Sequence, residues 1–166
     1  RGRAVRRALV AVAITHALAC SPPPDDGMTT PVLPDRTSFP VVSQALVHRC
    51  GSIDCHGSTA RNMRVWGDEA IRLSPDDTIL GRPTTPAEHD ANYASVVMLE
   101  PETMTDVVGD RGASPERLTL IRKAYGYDHH KGGSRASGDD PLSRCLLSWL
   151  AGATDVAACD AAARTL

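Results

Sequence analysis

Large aromatic side chains are scarce in this chain of 166 residues. Phe, Tyr and Trp together make up 4% of the sequence, with a single Phe, against 12 Pro and 13 Gly. Because aromatic side chains usually supply much of the buried area of a core, we expect another group to fill part of this one. The five cysteines offer cross-links or the attachment of a bound group, with which small exported domains often supplement a thin core.

Several sequence signatures of enzymes and nucleotide-binding proteins are also absent. The chain contains no Gly-rich phosphate loop, no G-x-S-x-G elbow and no H-E-x-x-H pair. Asp76-Asp77 and Asp139-Asp140 stand beside prolines without a D-x-D-x-D-G loop, so we interpret them as turn and helix-capping residues rather than calcium ligands. The composition, 42% hydrophobic and 23% charged, excludes wholesale disorder and a multi-span membrane protein.

The first 19 residues have the pattern of a secretory signal peptide. Four arginines come first, and the apolar run at 8–14 is shorter than the stretch of about 20 residues that a transmembrane helix needs. The segment Ala17 to Cys20 resembles the lipobox of bacterial lipoproteins, which implies a lipid anchor on Cys20; its Ala-Leu-Ala part also fits a plain cleavage site. The Pro-rich tether that follows favours lipidation. We therefore expect the protein in the cell envelope, anchored to the membrane and facing the periplasm or the cell surface.

Removal of the signal peptide would leave an acidic chain. The remaining residues contain 14 Lys and Arg against 20 Asp and Glu, which changes the net charge from −2 to −6 with His neutral. Domains that bind nucleic acid need clustered positive charge for the phosphate backbone. We therefore expect no nucleic-acid partner, and contact with the membrane through the lipid anchor only.

Residues 20–36 read as a flexible Pro-rich linker, and the apolar pattern predicts an all-α or nearly all-α domain over residues 37–166. The segment Thr85 to Glu88 is a capping box with proline at the first helical position. Residues 63–66 alternate like a short extended piece. The expected helices cover about 39–50, 85–97, 101–109, 114–123, 141–150 and 155–163, with long loops at 72–84 and 126–139.

The most informative stretch is Cys50-Gly51-Ser52-Ile53-Asp54-Cys55-His56-Gly57. Two cysteines followed directly by His and Gly are what covalent haem attachment requires, because two thioethers fix the porphyrin and the adjacent imidazole lies under the iron. On these residues the chain resembles c-type cytochrome domains. The resemblance implies haem c attached covalently to Cys50 and Cys55, with His56 as the proximal iron ligand.

The resemblance extends to both ends of the domain. The family places a helix directly before its cysteines, here Phe39 to Cys50, and a Trp-containing helix at its end, here Leu142 to Gly152. It implies a small cytochrome-c-like helical fold with long loops. It also implies a mono-haem electron-transfer protein that is not an enzyme, with a redox partner protein in the cell envelope.

The spacing of the two cysteines leaves other interpretations open. Four residues separate Cys50 from Cys55, whereas the common attachment motif has two. A disulfide between them is the main alternative, since Gly51 lets the chain turn and an oxidising compartment favours the bond. The protein would then be a haem-free, disulfide-stapled envelope lipoprotein with a structural or binding role. A zinc site is a third interpretation, with ligands Cys50, Cys55, His56 and His130.

The sixth iron ligand is expected in the loop before the closing helix. The family normally supplies Met there, but this loop reads Tyr127-Asp128-His129-His130-Lys131-Gly132-Gly133. We therefore expect His130, or alternatively His129, as the distal ligand, and two imidazoles give a lower potential than His with Met. Met98 and Met104 are the other candidates, although a Met that follows an amphipathic helix, such as Met98, is more often a core residue.

Cys145 and Cys159 lie on the last two expected helices, seven residues before Gly152 and seven residues after it. An antiparallel helical hairpin would bring them level, so we expect a disulfide between them. Closing a loop of about fifteen residues contributes roughly 3 kcal/mol in the chain-entropy model, which would supplement a thin core. His48 and His89 lie on earlier helices and are expected at the surface.

Overall fold

Six α-helices make up the regular structure of residues 30–165, the part of the chain that the computed structural model describes. The helices are α1 (Phe39–Cys50), α2 (Pro86–Val97), α3 (Pro101–Gly109), α4 (Thr119–Tyr125), α5 (Pro141–Leu150) and α6 (Val156–Ala162). The described part contains no strand, and residues 63–66 are irregular apart from an isolated bridge between Trp66 and Ile71. The predicted helical class is therefore confirmed. The signal peptide, Cys20 and most of the linker lie outside the described residues.

The helices begin at prolines and capping side chains that the sequence displays. Proline lies in the first turn of α1, α2, α3 and α5, where its missing N–H costs no hydrogen bond. The Thr85 hydroxyl accepts a hydrogen bond from the backbone N–H of Glu88, and the Glu88 carboxylate accepts one from the backbone N–H of Thr85. The predicted capping box is thus confirmed. The Asp140 carboxylate caps α5 by accepting from the backbone N–H of Leu142.

The helix expected over residues 114–123 is divided in two. Pro115–Arg117 forms a 3₁₀ turn, Leu118 is extended and buried, and α4 begins only at Thr119. The Glu100 carboxylate accepts hydrogen bonds from the backbone N–H and the hydroxyl of Thr119, at 2.6 and 2.9 Å, and so caps α4 from outside. Burial of Leu118 and this distant cap together explain the division.

The few aromatic side chains of the core are concentrated at the N-terminal end of α1. The ring centre of Phe39 lies 5.2 Å from that of Tyr93 and 5.0 Å from that of Trp149. The Tyr93 hydroxyl donates to the Pro34 carbonyl at 2.7 Å, and the Trp149 indole N–H donates to the Asp35 carbonyl at 2.9 Å. These bonds attach Pro34 and Asp35 to the helical domain, slightly before residue 37, where the sequence predicts that the domain begins.

The expected disulfide between Cys145 and Cys159 is present and joins α5 to α6. Both cysteines are buried, and 14 positions separate them along the chain. Helix α6 also packs against α1, so the bridge stabilises a layer of three contacting helices. No helix among the described residues has the length and the hydrophobicity that crossing a membrane requires.

A buried ion pair between Arg72 and Glu88 organises the long loop that precedes α2. The Arg72 guanidinium donates hydrogen bonds of 2.8 and 2.9 Å to the two Glu88 carboxylate oxygens, and both side chains are at most 2% exposed. Arg72 also donates to backbone carbonyls of the loop, at Thr78, Arg82 and Pro83. Burial acts to raise the pKa of Glu88, but hydrogen bonds from Arg72 and from backbone N–H groups outweigh it and lower this pKa from 4.5 to about 2.

We expect Glu88→Gln to lower the free energy of unfolding at pH 7 by about 3 kcal/mol, because it removes the main partner of the buried Arg72 charge and leaves only the Asp77 carboxylate, 3.9 Å away. Since the folded-state pKa of Glu88 is depressed, its contribution is complete above pH 4.5 and is lost as the pH falls toward about 2. The difference between wild type and variant, measured by urea denaturation, should shrink over this range. The control Asp90→Asn, which removes an exposed ion pair with Arg36, should change stability little. A difference that stays constant down to pH 2 would contradict this role of Glu88.

Candidate functional site

The cysteine–histidine segment forms a tight loop at the C-terminal end of α1. The backbone N–H of His56 donates to the Cys50 carbonyl at 3.0 Å. The N–H groups of Cys55 and Gly57 both donate to the Ser52 carbonyl, at 2.8 and 3.0 Å. The four residues between the cysteines are therefore taken up by a turn, which holds His56 directly against the end of the helix.

Gly57 is required by the close approach of two backbone segments. A Cβ atom at this position would collide with the carbonyl oxygen of Gly51. Gly51 is itself crowded, since a Cβ atom there would collide with the Val47 carbonyl oxygen. The glycine after His56 therefore has a packing reason of its own, in addition to its place in the attachment pattern.

His56 and His130 each hydrogen-bond to a backbone carbonyl through Nδ1. His56 Nδ1 hydrogen-bonds to the Met63 carbonyl oxygen, and His130 Nδ1 to the Gly133 carbonyl oxygen, each at 2.9 Å. Because a carbonyl oxygen can only accept, Nδ1 carries the proton in the neutral form of either ring, and Nε2 in that form has a free lone pair. Metal-bound histidines are typically fixed by the same kind of bond through their other nitrogen.

The two imidazoles also lie at a separation that suits a shared ion. Their ring centres are 5.9 Å apart and their planes are inclined by 33°. A metal–imidazole bond is about 2 Å long and a ring nitrogen lies about 1 Å from its ring centre, so one ion bonded to both rings would hold the centres about 6 Å apart. The structure thus brings together His56 and His130, the two histidines expected as proximal and distal ligands.

Two adjoining cavities surround this histidine pair. The first, of about 370 Å³, is lined mainly by apolar atoms, including those of Met63, Leu99, Leu120 and Ala124. The second, of about 520 Å³, is more polar and shares several lining residues with the first: His56, Arg61, Lys123, His130 and Arg135. Volumes of this size are typical of small-molecule and cofactor sites. No Phe, Tyr or Trp is among the described residues that line either cavity.

Cys50 lines the first cavity and Cys55 the second, and both are free thiols in the structure. The alternative disulfide between them is therefore not formed. Burial raises the pKa of Cys50 from 9.0 to about 11, although the charges of Arg135 and Arg49 act to lower it. The Cys50 thiol consequently stays protonated at neutral pH, which slows its oxidation to a disulfide.

The other residues considered as iron ligands lie elsewhere or at the edge of the site. Met98 is 65% exposed, so the expectation that it belongs to the core is wrong, and Met104 is 1% exposed within the helical core. Neither lines a cavity, whereas His129 lines the second cavity only. Within residues 30–165, no three His, Cys, Asp or Glu side chains form a metal-binding group, which argues against a zinc site at Cys50, Cys55, His56 and His130.

His48 and His89 are partly buried rather than at the surface. His48 Nδ1 pairs with the Glu69 carboxylate at 2.9 Å, and His89 Nδ1 shares a hydrogen bond of 2.9 Å with the buried hydroxyl of Ser43. Burial lowers the pKa of His89. Since neither lines a cavity, both histidines belong to the scaffold of the domain.

Arg49, which no sequence pattern indicated, connects the two loops of the site. Arg49 immediately precedes Cys50, and its guanidinium donates to the Arg135 carbonyl and, at 3.0 Å, to the Asp140 carboxylate. Its side chain is only 8% exposed. These bonds fix the end of the His130 loop to α1 and to the start of α5. A lone arginine gives no sequence signal of a partner 86 positions away.

Helix α4 holds the same loop from its other side. The backbone N–H groups of Arg135 and Ala136 both donate to the Ala124 carbonyl, at 2.7 and 2.9 Å. The Lys123 ammonium donates to the His129 carbonyl at 2.7 Å. The position of the loop is thus determined by side chains and carbonyls of helices, although the loop has no regular structure of its own.

The groups gathered here fit a covalently held iron porphyrin. Two free thiols, two imidazoles with Nε2 available and an apolar cavity are the chemistry that such a group needs. Comparison of the chain with protein-family models, curated proteins and solved structures found no match.

We expect Gly57→Ala to destabilise the protein by about 2 kcal/mol, because the added methyl group must displace the Gly51 carbonyl. Gly109→Ala is the matched control: a Cβ atom there meets nothing within 4 Å, and the position is helical, so stability should be unchanged or slightly higher. Urea denaturation of both variants measures the difference. Equal effects of the two substitutions would contradict the packing role of Gly57.

Arg49→Gln should release the end of the His130 loop. We expect a loss of about 2 kcal/mol in stability, since the Asp140 carboxylate loses a largely buried partner. Amide hydrogen exchange at Arg135 and Ala136 should accelerate, whereas Arg117→Gln, which breaks an exposed ion pair, should leave it unchanged. Unaltered exchange in the Arg49 variant would show that α4 alone holds the loop.

Proposed function

We propose that the protein is an exported mono-haem c-type electron-transfer protein with a cytochrome-c-like helical domain. The observation that carries the proposal is the pairing of His56 with His130, 5.9 Å apart between ring centres, beside an apolar cavity that Cys50 lines. The sequence pattern supports the same centre independently, because Cys50 and Cys55 directly precede His56 in the order that haem attachment uses.

Cys50 and Cys55 are the residues that would hold haem c covalently. Each thiol would add across one vinyl group of the porphyrin: a carbon–sulfur bond would form, the S–H bond would break, and the hydrogen would end on the neighbouring carbon, so no oxidant would be required. Both cysteines meet the condition for this addition, because they are free thiols. The raised pKa of Cys50, about 11 through burial, protects that thiol from oxidation beforehand.

His56 and His130 are the proposed iron ligands, each through Nε2. The Met63 and Gly133 carbonyls hold the two rings in the tautomer and the orientation that ligation needs. When bound, haem supplies a reversible one-electron change at its iron. Ligation by two imidazoles favours a lower reduction potential than His with Met.

A bound haem would also account for the scarcity of aromatic side chains. The apolar part of the first cavity is formed by Met63, Leu99 and Leu120 with small residues at Ala60 and Ala124, and no Phe, Tyr or Trp is among the described residues that line it. A flat apolar cofactor is the kind of group that such a cavity would hold.

Export and membrane attachment are further parts of the proposal. The Cys145–Cys159 disulfide supports export, since such bonds persist in oxidising compartments. A lipid on Cys20 would keep the domain in the cell envelope, where it would meet a redox partner protein. Because His56 and His130 would both be bound to the iron, the centre would suit electron transfer rather than catalysis on a bound substrate.

Expression together with a haem-maturation system tests the proposal. Under denaturing conditions the wild type should retain a haem-specific stain, and the double variant Cys50→Ser/Cys55→Ser should retain none, because only covalent attachment survives. His130→Ala should keep the stain but change the reduced low-spin spectrum toward a five-coordinate or water-ligated form. His129→Ala is the control, since this histidine lies at the edge of the site.

Each result has a distinct meaning. A wild type that matures without haem and carries Cys50 bonded to Cys55 would contradict the proposal and support the haem-free, disulfide-stapled lipoprotein. An unchanged spectrum in both histidine variants would show that another residue supplies the sixth ligand. Met63, which lines the first cavity, would then be the next residue to substitute.

A further inference from the structure

The second cavity carries a concentration of positive charge. Four basic side chains line it: Arg61, Lys123, Lys131 and Arg135. Asp54 is the single carboxylate among the described residues of the lining. The chain as a whole is acidic, with a net charge of −2. Cations gathered in one cavity raise the local potential and attract an anion.

These four basic side chains have no acidic partner within residues 30–165. The ion pairs of the described part are formed by other cations, for example Arg49 with Asp140 and Arg122 with Asp128. Asp54 lines the same cavity but forms no ion pair there. The positive charge of the cavity is thus available to a ligand.

Two of the cations are already held in place by backbone carbonyls. The Arg61 guanidinium donates to the Cys55 carbonyl at 3.3 Å, and the Lys123 ammonium donates to the His129 carbonyl at 2.7 Å. The Arg135 backbone is fixed by its own N–H, which donates to α4 at 2.7 Å. Donors that are positioned in advance bind an anion at a smaller cost in conformational entropy.

Arg61, Lys123 and Arg135 line both cavities, so they stand at the boundary between the apolar space and the polar one. A ligand that matches this boundary has an apolar body and carboxylates along one edge. Haem has this form, with two propionate groups on the same side of its ring. We infer that these three residues bind the haem propionates and thereby set the orientation of the ring in the first cavity; this inference rests on the proposed function.

Haem and its dimethyl ester separate charge recognition from binding of the ring, because the ester keeps the iron and the ring but lacks both negative charges. The full-length haem-free protein, with its thiols kept reduced, is titrated with each porphyrin and followed by absorbance. Wild type should bind haem about fivefold more tightly than the ester, the ratio expected for exposed charge pairs.

Arg135 is the residue to substitute, because its guanidinium makes no hydrogen bond to the described residues and the backbone bonds of its loop stay intact. Arg135→Gln should reduce the preference for haem over the ester, and Arg135→Lys should keep most of it. Arg144→Gln removes an equal charge from an exposed position on α5 that lines neither cavity, and should keep the wild-type preference.

Equal affinity of wild type for haem and the ester would overturn the inference, while a low-spin spectrum in both complexes would leave the proposed histidine ligands intact. A loss of affinity for both porphyrins by the same factor in Arg135→Gln would also overturn it, since a purely structural effect does not distinguish them. Failure of wild type to bind either porphyrin would overturn the inference together with the proposed function.

Discussion

The hydrogen bonds of the Arg49 guanidinium hold the two sides of the site together. Loops carry His56 and His130, and such segments lack the internal ladder of bonds that fixes a helix. In the first loop, the His56 backbone N–H donates to the Cys50 carbonyl. In the second loop, the Arg135 carbonyl accepts a hydrogen bond from the Arg49 guanidinium. Both attachments start from the same end of α1, so the packing that positions this helix also positions both imidazoles.

Features that depend on a residue and its own neighbours could be predicted from the sequence. The starts of α2 and α5 belong to this class, because Thr85 and Asp140 cap the first turn that follows them. The break at Leu118, between the 3₁₀ turn and α4, could not be predicted in this way, since the cap of α4 comes from Glu100 at the start of another helix. The exposure of Met98 was misjudged because the buried face of α2 ends one residue earlier.

The same distinction applies to the site. Cys50, Cys55 and His56 could be named as candidates because their order in the sequence matches the haem-attachment pattern, and His130 because it lies in the loop before a Trp-containing helix. The separation of the two imidazoles and the cavities beside them are products of tertiary packing and leave no local pattern. Arg49 was invisible for the same reason, since the sequence around a single arginine does not specify which distant carbonyl it will meet.

The concentration of aromatic side chains at the start of α1 has a consequence for how the domain holds together. Phe39 and Cys50 stand at opposite ends of this helix, about 17 Å apart at 1.5 Å per residue. The aromatic rings of Phe39, Tyr93 and Trp149 pack at one end, and Cys50 at the other end lines the first cavity. Local stability should therefore decline along α1, and filling of the cavities would extend the cooperative unit from the aromatic end to the whole helix. Under the proposed function, incorporation of haem would then complete the folding of the domain.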